Sequence, residues 1–177
     1  VLARAGALNS LMDDRFSGGK HFFLAVAENR PKTKKKFNEG IEAHRSAGAY
    51  TYDEKLANII ELTGQFPISM IVTDDVLRRL TQKPEIVPLS EFDAISGHLA
   101  WGIVKTVTPK KTKNGKDYLV VDVVDINSVV SRVRVWGVDP RIDVIHVNRP
   151  YMIVPKYDPN WGFSTRGSVR RKWALLG

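Results

Sequence analysis

The stretch from 97 to 136 constrains the fold most, because it holds three consecutive apolar runs of period two joined by short connections. The first connection centres on Asn114 and Gly115, the second on Ile126 to Ser128. Both are hairpin-length, so the segment reads as a β-meander. The third run alternates Val129, Ser131, Val133 and Val135 with Val130, Arg132, Arg134 and Trp136. One face of such a strand buries valine; the other presents two arginines and a tryptophan. Gly102 interrupts the first run and is expected to mark a bend or bulge.

Further strands are expected at 143–147 or 151–154, and at 161–165. Five short, mostly antiparallel strands suit an OB-type β-barrel over 97–167. The residues before it read as helical. Helical spacing covers 1–12, with 7–12 completing a first helix, and a second run at 21–29 stops at Arg30-Pro31, because the residue before proline is pushed out of the α region. A basic run at 32–36 leads into a helix at 36–45, ended by Gly48. The segment 52–62 is amphipathic and stops at Gly64, and Thr73, Asp74 and Asp75 are N-cap candidates for a helix through Leu80. The expected fold is therefore α+β. A helical domain at 1–92 precedes the five-stranded OB-type barrel, with an extended linker at about 84–96 and a basic tail at 168–177. The helical spacing at Val1 is read as the start of a piece cut from a longer chain.

Charge is segregated along this order. Residues 1–96 carry 13 Lys+Arg and 13 Asp+Glu, whereas residues 97–177 carry 14 and 6, so the whole excess of +8 lies in the second half. That asymmetry points to a polyanion partner, since cations that neutralise phosphates release condensed counterions. There are no cysteines, which excludes disulfides and thiolate metal sites. No apolar run has the length of a membrane span and no signal peptide is visible, so no membrane partner is expected and the cytoplasm is the expected compartment.

No catalytic motif assembles. His21, His44, His98 and His146 lie far apart, without metal-ligand spacing, and read as surface or packing residues. Gly18-Gly19-Lys20 lacks the upstream glycine and following hydroxyl of a phosphate loop and reads as a turn. Asp13-Asp14 and Asp74-Asp75 read as helix caps rather than Mg²⁺ ligands. Asp122 and Asp125, three apart on a strand, point to opposite faces. No cofactor is expected in this segment.

What does assemble is a nucleic-acid groove. Lys110, Lys111, Lys113 and Lys116 surround the first hairpin tip, where flexible ammonium groups suit backbone phosphates. Arg132, Arg134 and Trp136 share a strand face, which Lys105 and Tyr118 extend on the neighbouring strands. Interleaved rings and cations let a base stack while its phosphate meets a charge. Trp161 and Phe163 are a further platform, with Arg166 beyond them. The competing reading makes Trp101, Trp161 and Phe163 core residues, and it is preferred for Trp101 and Phe163.

The order of parts resembles a known family. LARAGALNSLMDDR (2–15) resembles the segment after the helix-hairpin-helix region of bacterial DNA polymerase III alpha subunits, the C-family replicative polymerases. EKLANIIELTGQFPIS (54–69) resembles that family's next helix and turn, without its His-Pro. HLAWGIVKTVTPKKTKNGKDYLVVDVVD (98–125) is similar to the start of its OB domain, with Gly102, Val104, Thr112, Lys113, Gly115, Lys116 and Asp125 on the pattern. The resemblance spans about 2–136; beyond Trp136 the chain departs from the family, as an outlying member, bacterial or phage-encoded, would. It implies a non-catalytic segment of a DNA-directed DNA polymerase, whose Mg²⁺-binding palm lies upstream and whose OB domain contacts single-stranded template DNA in a bacterium or phage-infected cell. Duplex DNA, RNA and replisome proteins are the other partners the residues leave open, since DNA and RNA both offer phosphates and stackable bases. Two alternatives stand beside it. One is an independent OB protein that binds single-stranded DNA or RNA. The other is an OB interaction module that docks a replication partner.

Overall fold

Alternating valines need one buried face, and the second half of the chain supplies it by curling a sheet around them. In a computed structural model, which describes residues 3, 4, 6, 8, 12–93, 98–139 and 141–176, the chain is mixed α+β. Two compact units divide at Pro67/Ile68.

The first unit is helical. Helix α1 (Gly19–Phe22) runs on through a π-helical segment, Phe23–Glu28, and the chain turns at Arg30, whose φ of 44° precedes Pro31. Helix α2 (Lys34–Ala43) begins two residues earlier than its apolar spacing suggests. The reason is a cap: the Thr33 side chain accepts the Lys36 amide at 3.2 Å and draws the lysine run into the first turn. Helix α3 (Tyr52–Thr63) opens with a Thr51–Glu54 capping box and closes on Gly64 in the left-handed region. His21, Ala25, Ile41 and Leu56 are buried. His21 accepts the Ser17 amide on Nδ1 at 3.0 Å, and its Nε2 lies 2.7 Å from the Ile41 carbonyl. Lys20 sits within α1 and pairs with Glu54 at 2.5 Å, so Gly18-Gly19-Lys20 opens a helix rather than forming an isolated turn. Positions 7 and 9–11 of the expected first helix lie outside the described residues.

The second unit opens with α4 (Ile68–Ile71) and α5 (Asp74–Thr81), the latter capped by Thr73. Strands β1 (Ile86–Pro88), β2 (Leu99–Lys111), β3 (Asp117–Val124), β4 (Val130–Trp136), β5 (Pro150–Ile153), β6 (Lys156–Asp158), β7 (Gly162–Arg166) and β8 (Trp173–Leu175) follow, with α6 (Val169–Lys172) before the last. They form one sheet of eight strands, ordered β6-β7-β4-β3-β2-β5-β8, with β1 parallel to β2.

Eight strands replace the expected five, for identifiable reasons. The proline segment taken as a linker pairs as β1 and buries Leu89 completely. The basic tail folds because Trp173 is buried, donating from Nε1 to Thr165 Oγ1 at 3.1 Å and meeting Tyr151 edge-on at 5.9 Å. Position 97, where the first strand was expected to begin, lies outside the described residues. Of the two places expected for the next strand, 143–147 and 151–154, the second is used, as β5 at Pro150–Ile153. The alternative, 143–147, is irregular and sends Ile145 into the core, while the His146 amide bonds the Tyr151 hydroxyl at 3.1 Å.

Leu119, Val121 and Val123 of β3, Val133 and Val135 of β4, and Tyr151 and Ile153 of β5 face inward with Ala100 and Val104 of β2. The register of β2 on β3 shifts between Val104 and Thr106, leaving Lys105 as the bulged residue and Val107 as the next inward one. The irregularity expected at Gly102 thus falls three residues later. Gly102 serves close approach instead: a Cβ there would lie 2.5 Å from Val123 Cγ1. Among the described residues no helix is long and apolar enough to cross a membrane, and no group of three His, Asp or Glu residues is placed to hold a metal ion.

Candidate nucleic-acid interface

The outward face of the sheet follows from its registers. Lys110 of β2 pairs with Tyr118 of β3, Tyr118 with Trp136 of β4, and Trp136 with Arg166 of β7. Four residues from four strands therefore form one cross-strand row of cation, ring, ring, cation. Tyr118 and Trp136 stack with ring centroids 4.5 Å apart and planes 22° from parallel, both half-buried. Lys110 and Arg166 are exposed at the ends of the row, and neither has an ion-pair partner among the described residues.

A second row runs beside it: Thr108, Val120, Arg134, Ser164 and Lys156. Lys156 has no signal in the sequence, because β6 is a three-residue strand placed on this face solely by its pairing with β7. The third row is Thr106, Asp122 and Arg132. Here the structure separates residues that the sequence grouped. Arg132 is held by Asp122, with Nε–Oδ1 at 2.8 Å and Nη2–Oδ2 at 3.3 Å, so its charge is met within the protein. Arg134 donates from Nη1 to the Trp161 carbonyl. Of the arginines on β4, neither is left as an unengaged phosphate ligand.

The guanidinium of Arg132 holds the Asp122 carboxyl below the usual carboxylate range; burial opposes this, and the Thr106 hydroxyl and the Lys105 charge reinforce it. A carboxyl depressed in the folded state stabilises it above the unfolded pKa and loses that contribution as pH falls through the folded value. Acid unfolding curves should therefore show a stabilising increment that disappears below the ordinary aspartate range, and Asp122→Asn should abolish that increment. Superimposable acid limbs for the two proteins would refute this.

The lysine hairpin is divided between strand and turn. Lys110 and Lys111 lie on β2, which runs on to the edge of the turn; Lys113 and Lys116 lie in the turn itself. Thr112 fixes that turn, donating its amide to the Lys116 carbonyl at 2.9 Å and accepting the Gly115 amide on its carbonyl at 3.0 Å. Gly115 has φ 75°, a conformation in which glycine meets no Cβ penalty. Lys111 lies 3.8 Å from Asp117, while Lys105, Lys113 and Lys116 are exposed and make no ion pair among the described residues.

The aromatic candidates also divide. Trp101 is buried, and Phe163 packs against the core and meets Phe92 edge-on at 6.1 Å. Trp161 is 69% exposed at the tip of the β6–β7 hairpin. Asp122 faces outward on β3, and Asp125, one residue past the end of that strand, is buried.

The outward face thus carries a stacked aromatic pair flanked by cations, a lysine-bearing hairpin at one end of the strands and a tryptophan-tipped hairpin beside them. Rings of this kind accept the π-face of any base, and the ammonium groups meet phosphates without reading sequence. No protein-family model matches the chain, and no curated protein matches it significantly.

Proposed function

We propose that this chain binds single-stranded nucleic acid on the outward face of β2, β3, β4 and β7, and that it performs no chemistry there. The row Lys110–Tyr118–Trp136–Arg166 carries this reading, because its two rings and two cations come into one line across four strands. We take the curled eight-stranded sheet as an open, OB-like half-barrel. Strands β2, β3, β4, β5 and β7 supply the five, in the order β7-β4-β3-β2-β5, with β4 and β7 parallel. Only Val154 and Pro155 separate β5 from β6, so 150–158 acts as one bent strand pairing with β2 at one end and β7 at the other. In such barrels the face of the second and third strands, with the loops after the first and fourth, holds oligonucleotides. Those loops are here the lysine turn and the Trp161 hairpin.

The resemblance at 2–15, 54–69 and 98–125 extends the proposal to a biological setting. The chain is then the non-catalytic, template-guiding segment of a C-family replicative polymerase in a bacterial or phage-infected cytoplasm, with Lys105, Lys113 and Lys116 lining the path of the strand. A protein-docking role is the second reading, favoured by Ile142, Val144 and Val147, which are 66%, 55% and 48% exposed in the loop between β4 and β5.

Fluorescence anisotropy of labelled single-stranded DNA, duplex DNA and single-stranded RNA across a salt series tests the reading. Single strands should bind tightest. Replacing Lys110, Lys113 and Lys116 together by alanine should reduce the log–log salt slope by about 2, at roughly 0.7 per phosphate contact on a single strand. Failure to bind any of the three at low salt would overturn the reading in favour of protein docking.

A further inference from the structure

We propose that Arg134 is a positioning residue rather than a phosphate contact: it pins the β6–β7 hairpin so that Trp161 stands as a second stacking platform for an unpaired base. This inference rests on the single-strand reading above. Arg134 shares the outward face with Arg132 and Trp136, yet its observed bond is to a main-chain oxygen, that of Trp161, 27 residues further along the chain. A carbonyl brings no charge for the arginine to neutralise. What the bond fixes is where the hairpin tip lies over the sheet.

The rest of the tip is built to the same end. Asp158 Oδ1 accepts the amides of Asn160 at 2.8 Å and Trp161 at 3.0 Å, and Gly162 closes the turn with φ 71°. Behind the tip, Tyr157 leans on Phe163 with centroids 5.1 Å apart, and Phe163 packs on the core. The Trp161 main chain is thus held at its carbonyl by Arg134 and at its amide by Asp158, while its ring is 69% exposed and meets no other ring among the described residues. Ordering a large apolar ring in water loses conformational freedom without burying surface, so its gain is realised on binding a flat apolar partner.

The ligand this fits is a strand whose bases have no pairing partners. Trp136 lies two residues along β4 from the residue that holds Trp161, so the two platforms engage neighbouring parts of one strand. Exposed Lys156 and Arg166, on the pairs Lys156–Ser164 and Trp136–Arg166, offer cations for the intervening phosphates. In a duplex the same bases are stacked and paired and cannot reach both rings.

A double-mutant cycle reads this out, using Arg134→Ala, Trp161→Ala and the pair, with labelled oligothymidylate across a salt series and Lys110→Ala as the phosphate-contact control. Arg134→Ala and Trp161→Ala should each weaken binding about tenfold, toward the lower end of the range for one base stack. The pair should bind no more weakly than Trp161→Ala alone, and Arg134→Ala should leave the salt slope unchanged, whereas Lys110→Ala should lower it by about 0.7. A slope reduced in Arg134→Ala, with its effect multiplying that of Trp161→Ala, would make Arg134 a phosphate contact and overturn the proposal. Hydrogen exchange of the unliganded protein tests the pinning separately: Arg134→Ala should speed exchange of the Trp161 and Gly162 amides, and unchanged exchange overturns it. Absence of binding by the unmodified protein would remove the base-binding role together with the single-strand reading, while the exchange result would still decide whether Arg134 holds the hairpin.

Discussion

Trp136→Ala is expected to weaken binding of a single-stranded oligonucleotide by about thirtyfold, the equivalent of roughly 2 kcal/mol for one lost base stack. The ring is half-exposed, stands outside the buried core and stacks on Tyr118 at 4.5 Å. Its removal costs the fold one cross-strand aromatic pair, about 0.5–1 kcal/mol, which leaves the valine core untouched. Because a ring releases no counterion, the salt slope should stay that of the unmodified protein, unlike that of the lysine variants. Trp136→Phe should retain most of the affinity. The measurement is an anisotropy titration beside a thermal unfolding curve. Equal affinities for Trp136→Ala and the parent would show that the aromatic row is a structural pair and not a platform.

Asp125→Ala should lower unfolding stability by about 3–4 kcal/mol, from three hydrogen bonds to a carboxylate with amides left unsatisfied. Asp125 is buried where β3 turns into β4. Its Oδ1 accepts the amides of Asn127 at 3.0 Å and Val129 at 3.1 Å, and its Oδ2 accepts that of Ser90 at 2.9 Å. One side chain therefore closes the hairpin and ties it to the segment after β1, where Leu89 enters the core. Asp125→Asn keeps one acceptor oxygen and should recover part of the loss. Urea unfolding of the three proteins decides it: a midpoint in Asp125→Ala equal to the parent's would show that water replaces the carboxylate at all three amides.

Much of this fold was legible because its signals are local. Alternation from Val129 to Trp136 assigns inward and outward faces without knowledge of any neighbour, and the structure buries Val133 and Val135 as that alternation requires, whereas Val129, just before β4, is 44% exposed. Thr51 with Glu54, and Gly64, delimit α3 through bonds that span four residues or fewer. The illegible parts depend on contacts between distant segments. Proline-rich 84–88 looks like a linker, and becomes a strand because β2 offers a parallel partner to Ile86–Pro88. The basic tail reads equally as helical or disordered, and its ordered helical turn and short strand depend on the place the core has for Trp173 against Tyr151 and Thr165. Gly102 announces an irregularity but not its kind: tight packing against Val123 there, and a bulge at Lys105.

The candidate site divides in the same way. Sequence alone determined which residues could serve it, since ring and cation chemistry, the Asn-Gly turn and the +8 concentrated after residue 97 are properties of the chain. Tertiary structure alone decided which of them act together. The parallel pairing of β4 with β7 brings Arg166 beside Trp136, and the register of β3 brings Tyr118 onto the same ring. It also paired Arg132 with Asp122 and gave Arg134 the Trp161 carbonyl, so two arginines that looked equivalent to the lysines have partners within the protein. The physical reason is register: a strand's own alternation fixes which face each residue takes, but its neighbours on that face are set by pairing with segments tens of residues away, and a slip of one residue would exchange the faces entirely.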